Sequence, residues 1–231
     1  MKKNLNNVNF QHISPRTENI LERNEFLSYF GKSKRQDYKH TTIKYLKLEP
    51  EDGKFFKNYI IQELLAREEL PTMSQPLKNK MIEAIYEIFV NAQMHSNCEF
   101  IYTCGQFFPK KNKIEFTIVD NGIGFKEKVN RRFDTQFSAL QAIKWAVIDR
   151  NTTKKIPGGI GLALLHEFVQ KNRGKIQIIS AEGYYEYSEA NIIYKEFKGE
   201  FPGTIVNLQF KTDDSSDYLL KSEVNDINDI F

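Results

Sequence analysis

Apolar and polar residues follow two different periods along this chain, and the change of period separates predicted strands from predicted helices. Between residues 114 and 119 apolar side chains alternate with Glu115 and Thr117, which is typical of a strand with one buried face. Between 43 and 48 the alternation slips by one position after Tyr45, which predicts a strand with a bulge. Further strands are expected at 100–105, 175–180 and 204–210, with an edge hairpin in the Tyr-rich segment 184–197.

Helical spacing of apolar residues marks the segments between these strands. The best defined helix follows Ser74, a residue type that caps helices, and has Pro76 in its first turn. Its buried stripe is expected to consist of Leu77, Met81, Ile85, Ile88 and Ala92. Other helices are predicted within 17–30, 55–70, 137–149 and 157–172.

Helices that precede and separate strands capable of antiparallel pairing favour a two-layer α/β sandwich over a doubly wound parallel sheet. We divide the chain into an N-terminal extension at 1–70, a main domain at 71–210 and an acidic tail at 211–231. The extension is expected to contain a strand and a helix that can pack on the main domain.

Composition narrows the classes of function. The 33 Lys and Arg residues against 30 Asp and Glu give a net charge of +3 without basic blocks, so we expect no nucleic-acid partner. Cys98 and Cys104 lack the spacing of a zinc site or a disulfide framework and fit a reducing compartment. No apolar run approaches the ~20 residues that cross a bilayer, so we expect a cytoplasmic protein without membrane association.

Glu87 and Asn91 are the first candidates for chemistry. They are four residues apart on the predicted helix after Ser74, so both side chains project from one face. An amide oxygen suits Mg²⁺, and a neighbouring carboxylate could orient or deprotonate a water molecule. Taken alone, the pair is more typical of a solvated polar helix face than of a ligand site.

A second candidate segment, Asp120-Asn-Gly-Ile-Gly124, directly follows the strand at 114–119. Its glycines would let the backbone approach a flat ligand, and Asp120 could accept a hydrogen bond from an exocyclic amine. The alternative for this segment alone is an ordinary Asp-Asn-Gly turn.

A third candidate is the glycine-rich stretch Gly158-Gly-Ile-Gly161, which leads into a helix. Free N–H groups and the dipole at a helix start attract phosphate, and Lys154 and Lys155 add positive charge just upstream. The stretch matches neither a Walker A loop nor a dinucleotide-binding fingerprint, and alone it could be a flexible hinge.

Taken in order, these three segments, with Gly203 and Thr204 opening a last strand, resemble the Bergerat-fold ATPases. That superfamily includes the ATP-binding domains of gyrase, heat-shock chaperones, mismatch-repair proteins and sensor kinases. The resemblance covers residues 77–210. It implies a mixed, mostly antiparallel sheet covered on one face by helices, with the nucleotide between helices and a mobile lid at 125–158.

The same resemblance implies ATP and Mg²⁺ as ligands and assigns roles to residues. Asn91 would bind Mg²⁺, and Glu87 would be the base that activates water. Asp120 would read the adenine amine with help from Thr204. The glycine boxes and the nearby lysines would complete the ATP site with Gly122, Gly124, Lys154, Lys155, Gly158, Gly159, Ile160, Gly161 and Leu162.

Several short strings are similar to those of a group of bacterial ATP-binding proteins related to anti-sigma-factor serine kinases. They are Cys104-Gly-Gln-Phe-Phe-Pro109, Asn151-Thr-Thr-Lys154, Pro157-Gly-Gly-Ile-Gly-Leu162 and Phe201-Pro-Gly-Thr204. Members of that group tend to be paired with a small STAS-like protein, which the resemblance therefore implies as a partner. A homodimer is also compatible with the sequence.

Two functions follow as hypotheses. The first is a regulator that binds ATP and Mg²⁺ and either hydrolyses ATP slowly or phosphorylates a serine or threonine of a partner. The second is a non-catalytic switch that docks a partner when ATP is bound. Neither His12 nor His40 is placed like a phosphoacceptor histidine, so a histidine kinase is disfavoured.

Overall fold

The computed structural model describes residues 10–95, 98–147, 160–189 and 191–223. The predicted Lys154, Lys155, Gly158 and Gly159 lie outside these ranges. The helices are α1 (Pro15–Arg23), α2 (Gly53–Tyr59), α3 (Gln75–His95), α4 (Gly124–Phe133), α5 (Ala139–Val147) and α6 (Ile160–Lys171). The strands are β1 (Thr42–Leu48), β2 (Ile101–Phe108), β3 (Lys113–Asp120), β4 (Lys175–Ser188) and β5 (Asn191–Lys211).

The strands form a single sheet in the order β1-β2-β3-β5-β4, and each of the four neighbouring pairs is antiparallel. Alternate residues of β3 are buried, among them Phe116, and share one core with Ile85 of α3 and Leu165 of α6. The opposite face carries hydrogen-bonded polar side chains such as Thr117 and Asn207. The two-layer α/β fold with helices on one sheet face is therefore confirmed.

Helix α3 begins as the sequence predicts. The Ser74 hydroxyl accepts a hydrogen bond from the Leu77 N–H at 3.2 Å, and Leu77, Met81 and Ile85 are all buried. This helix spans 21 residues and contributes both Glu87 and Asn91. Its start is fixed by the cap and its orientation by the buried stripe.

Segments within residues 10–70 share the sheet and the core with the rest of the described chain. β1 pairs with β2, and the predicted bulge is present as a register shift between Ile43 and Leu46. Phe56 of α2 stacks on Phe89 of α3 with ring centroids 4.7 Å apart. The division of the chain into three parts stays a prediction.

Two predicted helices have the wrong extent. The helix expected at 55–70 is α2 followed by a π-helical stretch, Ile60–Leu65, and the helix expected within 17–30 is α1 followed by a 3₁₀ turn, Phe26–Phe30. Asn24 ends α1, and Glu25 takes a positive φ of 69°. Local spacing predicted the apolar faces, whereas packing set the helix type.

β4 changes direction at Ala181, which has a φ of 50°. After this residue β4 reverses, so that its second half lies beside its first half. Two side-chain contacts show this: the Lys175 ammonium contacts Glu186, and the Gln177 amide donates to the Tyr184 hydroxyl. The predicted strand at 175–180 and the predicted Tyr-rich hairpin thus belong to two long strands with one bend. Ser180 is the last residue before that bend.

The segment after β5 folds back against the start of α3. Tyr218 forms a parallel bridge with Met73, and the Ser74 hydroxyl donates to the Glu223 carboxylate at 2.7 Å. Burial acts to raise the pKa of Asp214, but hydrogen bonds from Tyr218, Asn172 and Ser216 outweigh it and hold the pKa at about 2. Within the described ranges, no helix combines the length and apolarity needed to span a bilayer.

Candidate functional site

A cleft of about 480 Å³, counted with the solvent space at its mouth, lies between α3, the start of α4, the start of α6 and strands β3 and β5. Five of the predicted site residues line it, namely Asn91, Asp120, Gly124, Leu162 and Thr204. They come from five different elements, so the fold assembles in one place what the sequence keeps up to 113 positions apart (91 to 204). Apolar walls between them are formed by Ile88, Ile118 and Val206.

Asp120 lines this cleft from the last position of β3. The residue is 8% exposed, and its Oδ1 accepts a hydrogen bond from the Gly122 N–H at 2.9 Å. Burial raises the pKa of Asp120 and outweighs the backbone N–H groups of Gly122 and Thr204 and the charge of Lys128, which act in the opposite direction. A buried carboxylate between apolar walls is a selective acceptor for an amine on a flat ligand.

Two glycines allow the segments around Asp120 to meet. Gly203 has a φ of 111°, and a Cβ at this position would lie 2.1 Å from the Asp120 carbonyl oxygen. Gly124 has a φ of 69°, and its Cβ would lie 2.6 Å from the Ser180 hydroxyl. A side chain at Gly203 would collide with the backbone of Asp120, and a side chain at Gly124 would collide with the Ser180 hydroxyl, which gives a physical reason for each glycine.

Glu87 lies one helical turn before Asn91, at the border between α3 and α6. Its Oε2 accepts a hydrogen bond from the Gly161 N–H at 2.9 Å, in the first turn of α6. A Cβ on Gly161 would lie 2.7 Å from this oxygen and 3.0 Å from the Ala84 carbonyl oxygen. The glycine therefore lets the start of α6 approach α3 closely enough for this bond.

Two other predicted site residues, Gly122 and Ile160, lie close in the sequence to residues that line the cleft. Gly122 contributes the N–H group that binds Asp120. Ile160 is the first residue of α6, and the predicted lid segment 125–158 contains most of α4 and all of α5.

Sequence reasoning missed several residues of the cleft. Phe125 and Lys128 line it from the first turns of α4, although they were expected only as part of the lid. Ser180 was expected merely as the end of a strand, yet its buried hydroxyl bonds the backbone of two segments that line the cleft. The positively charged Lys128 close to Gly124 was a readable signal, whereas nothing local distinguishes Ser180.

The residues of the cleft fit an adenine nucleotide. The apolar walls suit a purine ring, Asp120 offers an acceptor, and the start of α6 offers backbone N–H donors. In the described part of the chain, no three His, Cys, Asp or Glu side chains gather into a group that could hold a metal ion. Asn91 offers an amide oxygen in the cleft, and Mg²⁺ at phosphate sites is usually bound by one or two protein oxygens, phosphate oxygens and water.

Comparison with known protein families gives one match over residues 77–213, more than half of the chain. The matching family is described as histidine kinase-, DNA gyrase B-, and HSP90-like ATPase. No curated protein matches the chain. The matched residues begin in α3 and end after β5, and so contain all the elements that line the cleft. The chain therefore belongs to the family of histidine kinase-, DNA gyrase B- and HSP90-like ATPases, and it is an ATP-binding protein of that family.

Proposed function

We propose that this protein is a regulator that binds ATP with Mg²⁺ and transfers the terminal phosphoryl group slowly to water or to a serine or threonine of a protein partner. One observation carries the proposal. Glu87 and Asn91 lie one turn apart on α3, and the Glu87 carboxylate is within 2.9 Å of the Gly161 N–H at the start of α6. A base, a hard oxygen ligand and phosphate-binding N–H groups are thus adjacent.

Each group has a defined part in the proposed reaction. The oxygen of water or of the acceptor hydroxyl attacks the γ-phosphorus, the bond to the β,γ-bridging oxygen breaks, and ADP leaves. Glu87 takes the proton from the attacking oxygen, and Asn91 would hold Mg²⁺, which neutralises charge on the phosphates. Asp120 holds the adenine amine at the far end of the cleft and thereby fixes the position of the phosphates.

The partner we propose is a small STAS-like protein that supplies the acceptor hydroxyl. The support is the similarity of the short strings quoted above to ATP-binding proteins that are paired with such partners. A cytoplasmic location, a homodimeric assembly and the lack of a nucleic-acid ligand belong to the same proposal.

Radiolabelled ATP tests this proposal directly. The protein is incubated with γ-labelled ATP and Mg²⁺, with and without a STAS-like protein encoded next to it. We expect either release of labelled phosphate or labelling of the partner on serine or threonine. Absence of both, with ATP binding intact, would overturn the enzymatic part of the proposal.

A second candidate function is an ATP-dependent docking switch without catalysis. The same Glu87–Gly161 hydrogen bond favours it, because Glu87 also joins α3 to α6 and so has a structural role. Replacement of Glu87 by Ala separates the two functions. An enzyme should lose turnover and keep its affinity for ATP, whereas a switch should keep ATP-dependent binding of the partner.

A further inference from the structure

Ser180 is a fully buried serine whose hydroxyl joins two backbone segments. Its Oγ accepts a hydrogen bond from the Phe125 N–H at 2.8 Å and donates one to the Gly203 carbonyl oxygen at 3.1 Å. Phe125 belongs to the first turn of α4, and Gly203 precedes Thr204 on β5. Both Phe125 and Thr204 line the cleft, while Ser180 itself does not.

Three chain irregularities meet at this hydroxyl. β4 bends at Ala181, directly after Ser180, with a φ of 50°, and β5 has a φ of 111° at Gly203. Gly124, at the start of α4, has a φ of 69° and leaves no room for a Cβ beside the Ser180 oxygen. A backbone conformation with positive φ persists where surrounding contacts hold it. Here the Ser180 hydroxyl, on β4, bonds the start of α4 and Gly203 of β5, and so joins all three segments.

Ser180 lies next to the adenine end of the cleft, by which we mean Asp120, Gly203 and Thr204. Asp120, Thr204 and Ser180 are direct neighbours across β3, β5 and β4. The Ser180 hydroxyl therefore holds the start of α4 against this row of residues. A shift of either bonded segment would change the distance between Phe125 and the Asp120 carboxylate.

We propose that Ser180 is a positioning residue that sets the geometry of the adenine end and thereby the affinity and purine selectivity for the nucleotide. The inference rests on the ATP-binding part of the proposed function and is independent of what the phosphoryl group is transferred to. Ser180 acts through Phe125 and Gly203 without touching the nucleotide. The Ser180 hydroxyl is needed because the same oxygen accepts a hydrogen bond from the Phe125 N–H and donates one to the Gly203 carbonyl.

The experiment compares two serine-to-alanine variants with the full-length protein. Ser180→Ala leaves the Phe125 N–H and the Gly203 carbonyl without their common partner. Ser74→Ala is the matched control, because the Ser74 hydroxyl likewise accepts from a backbone N–H and donates to an oxygen, but lies at the opposite end of α3 from Asn91. Affinities for ATP and GTP are measured by calorimetry, together with thermal unfolding and amide hydrogen exchange.

We expect Ser180→Ala to weaken ATP binding about tenfold, to reduce the preference for ATP over GTP, and to speed exchange of the Phe125 amide. If turnover is present, KM should rise while kcat changes less than about threefold. Ser74→Ala should lower thermal stability without changing either affinity. Ser180→Thr, which keeps a hydroxyl, should restore part of the affinity.

The inference is wrong if Ser180→Ala binds ATP as tightly as the unaltered protein, or if Ser74→Ala weakens binding equally. Equal loss for ATP and GTP would also contradict it, since a general loss of folded structure has no purine preference. If Ser180→Ala fails to fold, the ATP and GTP affinities of Ser180→Thr and the exchange rate of its Phe125 amide decide the question. Failure of the proposed phosphoryl transfer would leave these binding measurements unaffected.

Discussion

The two ends of the cleft are built in different ways. At the adenine end, three adjacent strands and the start of α4 are held by the buried Ser180 hydroxyl and by glycines whose replacement would bring atoms within 2.1–2.6 Å. At the phosphate end, by which we mean Asn91 in the cleft wall together with Glu87 and Gly161 beside the cleft, two helices meet through the hydrogen bond from Gly161 to Glu87. The adenine end is therefore fixed by several mutually dependent backbone contacts, and the phosphate end by a side chain.

This difference indicates a division of labour. A preorganised adenine end selects the ligand and orients it without rearrangement. In the function we propose, a phosphate of ATP and the Glu87 carboxylate would compete for the same Gly161 N–H group, because both are anionic acceptors. Phosphate binding at this N–H group would break the hydrogen bond between Gly161 and Glu87. The following predictions test this contrast.

The largest effect is expected at the phosphate end. Glu87→Gln should lower turnover by a factor of ~10²–10⁴, because the amide can still accept the Gly161 N–H but cannot take a proton. The Kd for ATP should stay within about threefold. The measurement is steady-state phosphate release combined with calorimetry.

Glu83→Gln is the matched control for that variant. Glu83 lies about one turn earlier on α3, and its side chain is 59% exposed and pairs with Lys80. Its replacement should change neither turnover nor affinity. Normal turnover in Glu87→Gln would exclude Glu87 as the base.

The next largest effect is expected at Asp120. Asp120→Asn should weaken ATP binding by ~100-fold, because a charged acceptor facing the adenine amine is replaced by a group that also carries donors. GTP serves as the internal control, since it carries a carbonyl where adenine has its amine. The ATP-to-GTP affinity ratio should fall, and an unchanged ratio would rule out Asp120 as the adenine reader.

A backbone prediction tests how rigidly the adenine end is built. Gly203→Ala should destabilise the protein by about 3 kcal/mol, since the new Cβ meets the Asp120 carbonyl at a positive φ. For a chain of this length that corresponds to a drop of roughly 6–12 °C in the thermal midpoint.

Gly199→Ala is the control on the same strand. No atom lies within 4 Å of the Cβ built at Gly199, and the residue is exposed. Its thermal midpoint should match that of the unaltered protein. Equal destabilisation by both variants would mean that strand propensity, and not the contact with Asp120, limits this position.

The smallest effect concerns pH. Because burial raises the pKa of Asp120, the folded state binds a proton there more tightly than the unfolded chain does. Between the unfolded pKa of about 3.9 and the raised folded value, this group therefore makes the protein more stable as the pH falls. Over the same interval protonation removes the acceptor, so ATP affinity should fall.

Asp120→Asn provides the comparison, because titration of the ATP phosphates affects both proteins equally. The contribution of Asp120 to the pH dependence of stability and of affinity should disappear in this variant. Chemical denaturation measures the stability, and calorimetry measures the ATP affinity, each across the pH range. Identical pH profiles for both proteins would show that Asp120 does not titrate in this interval.

Much of the fold and half of the cleft could be predicted from local patterns. Alternation predicted β3, the cap at Ser74 predicted the start of α3, and Asn91 and Asp120 line the same cleft, as the resemblance implied. The strand and the helix start depend on residues within a few positions of one another, where hydrogen bonds and side-chain periodicity act directly.

Other features needed the assembled molecule. Gly161 and Glu87 are 74 positions apart, and Phe125 and Ser180 are 55 apart. The bend of β4 at Ala181 follows from contacts of its two halves rather than from a turn signal in the sequence.

The amino-acid pattern thus specifies many of the elements and their buried faces, since each is encoded by near neighbours, while the resemblance of three motifs to a known family implies the ATP-binding residues. The packing of α3, α6 and the sheet decides two further contacts. It brings the Ser180 hydroxyl to the segments that it bonds and the Gly161 N–H to the Glu87 carboxylate. Those contacts form between distant segments, and their geometry is set by close packing of the whole core.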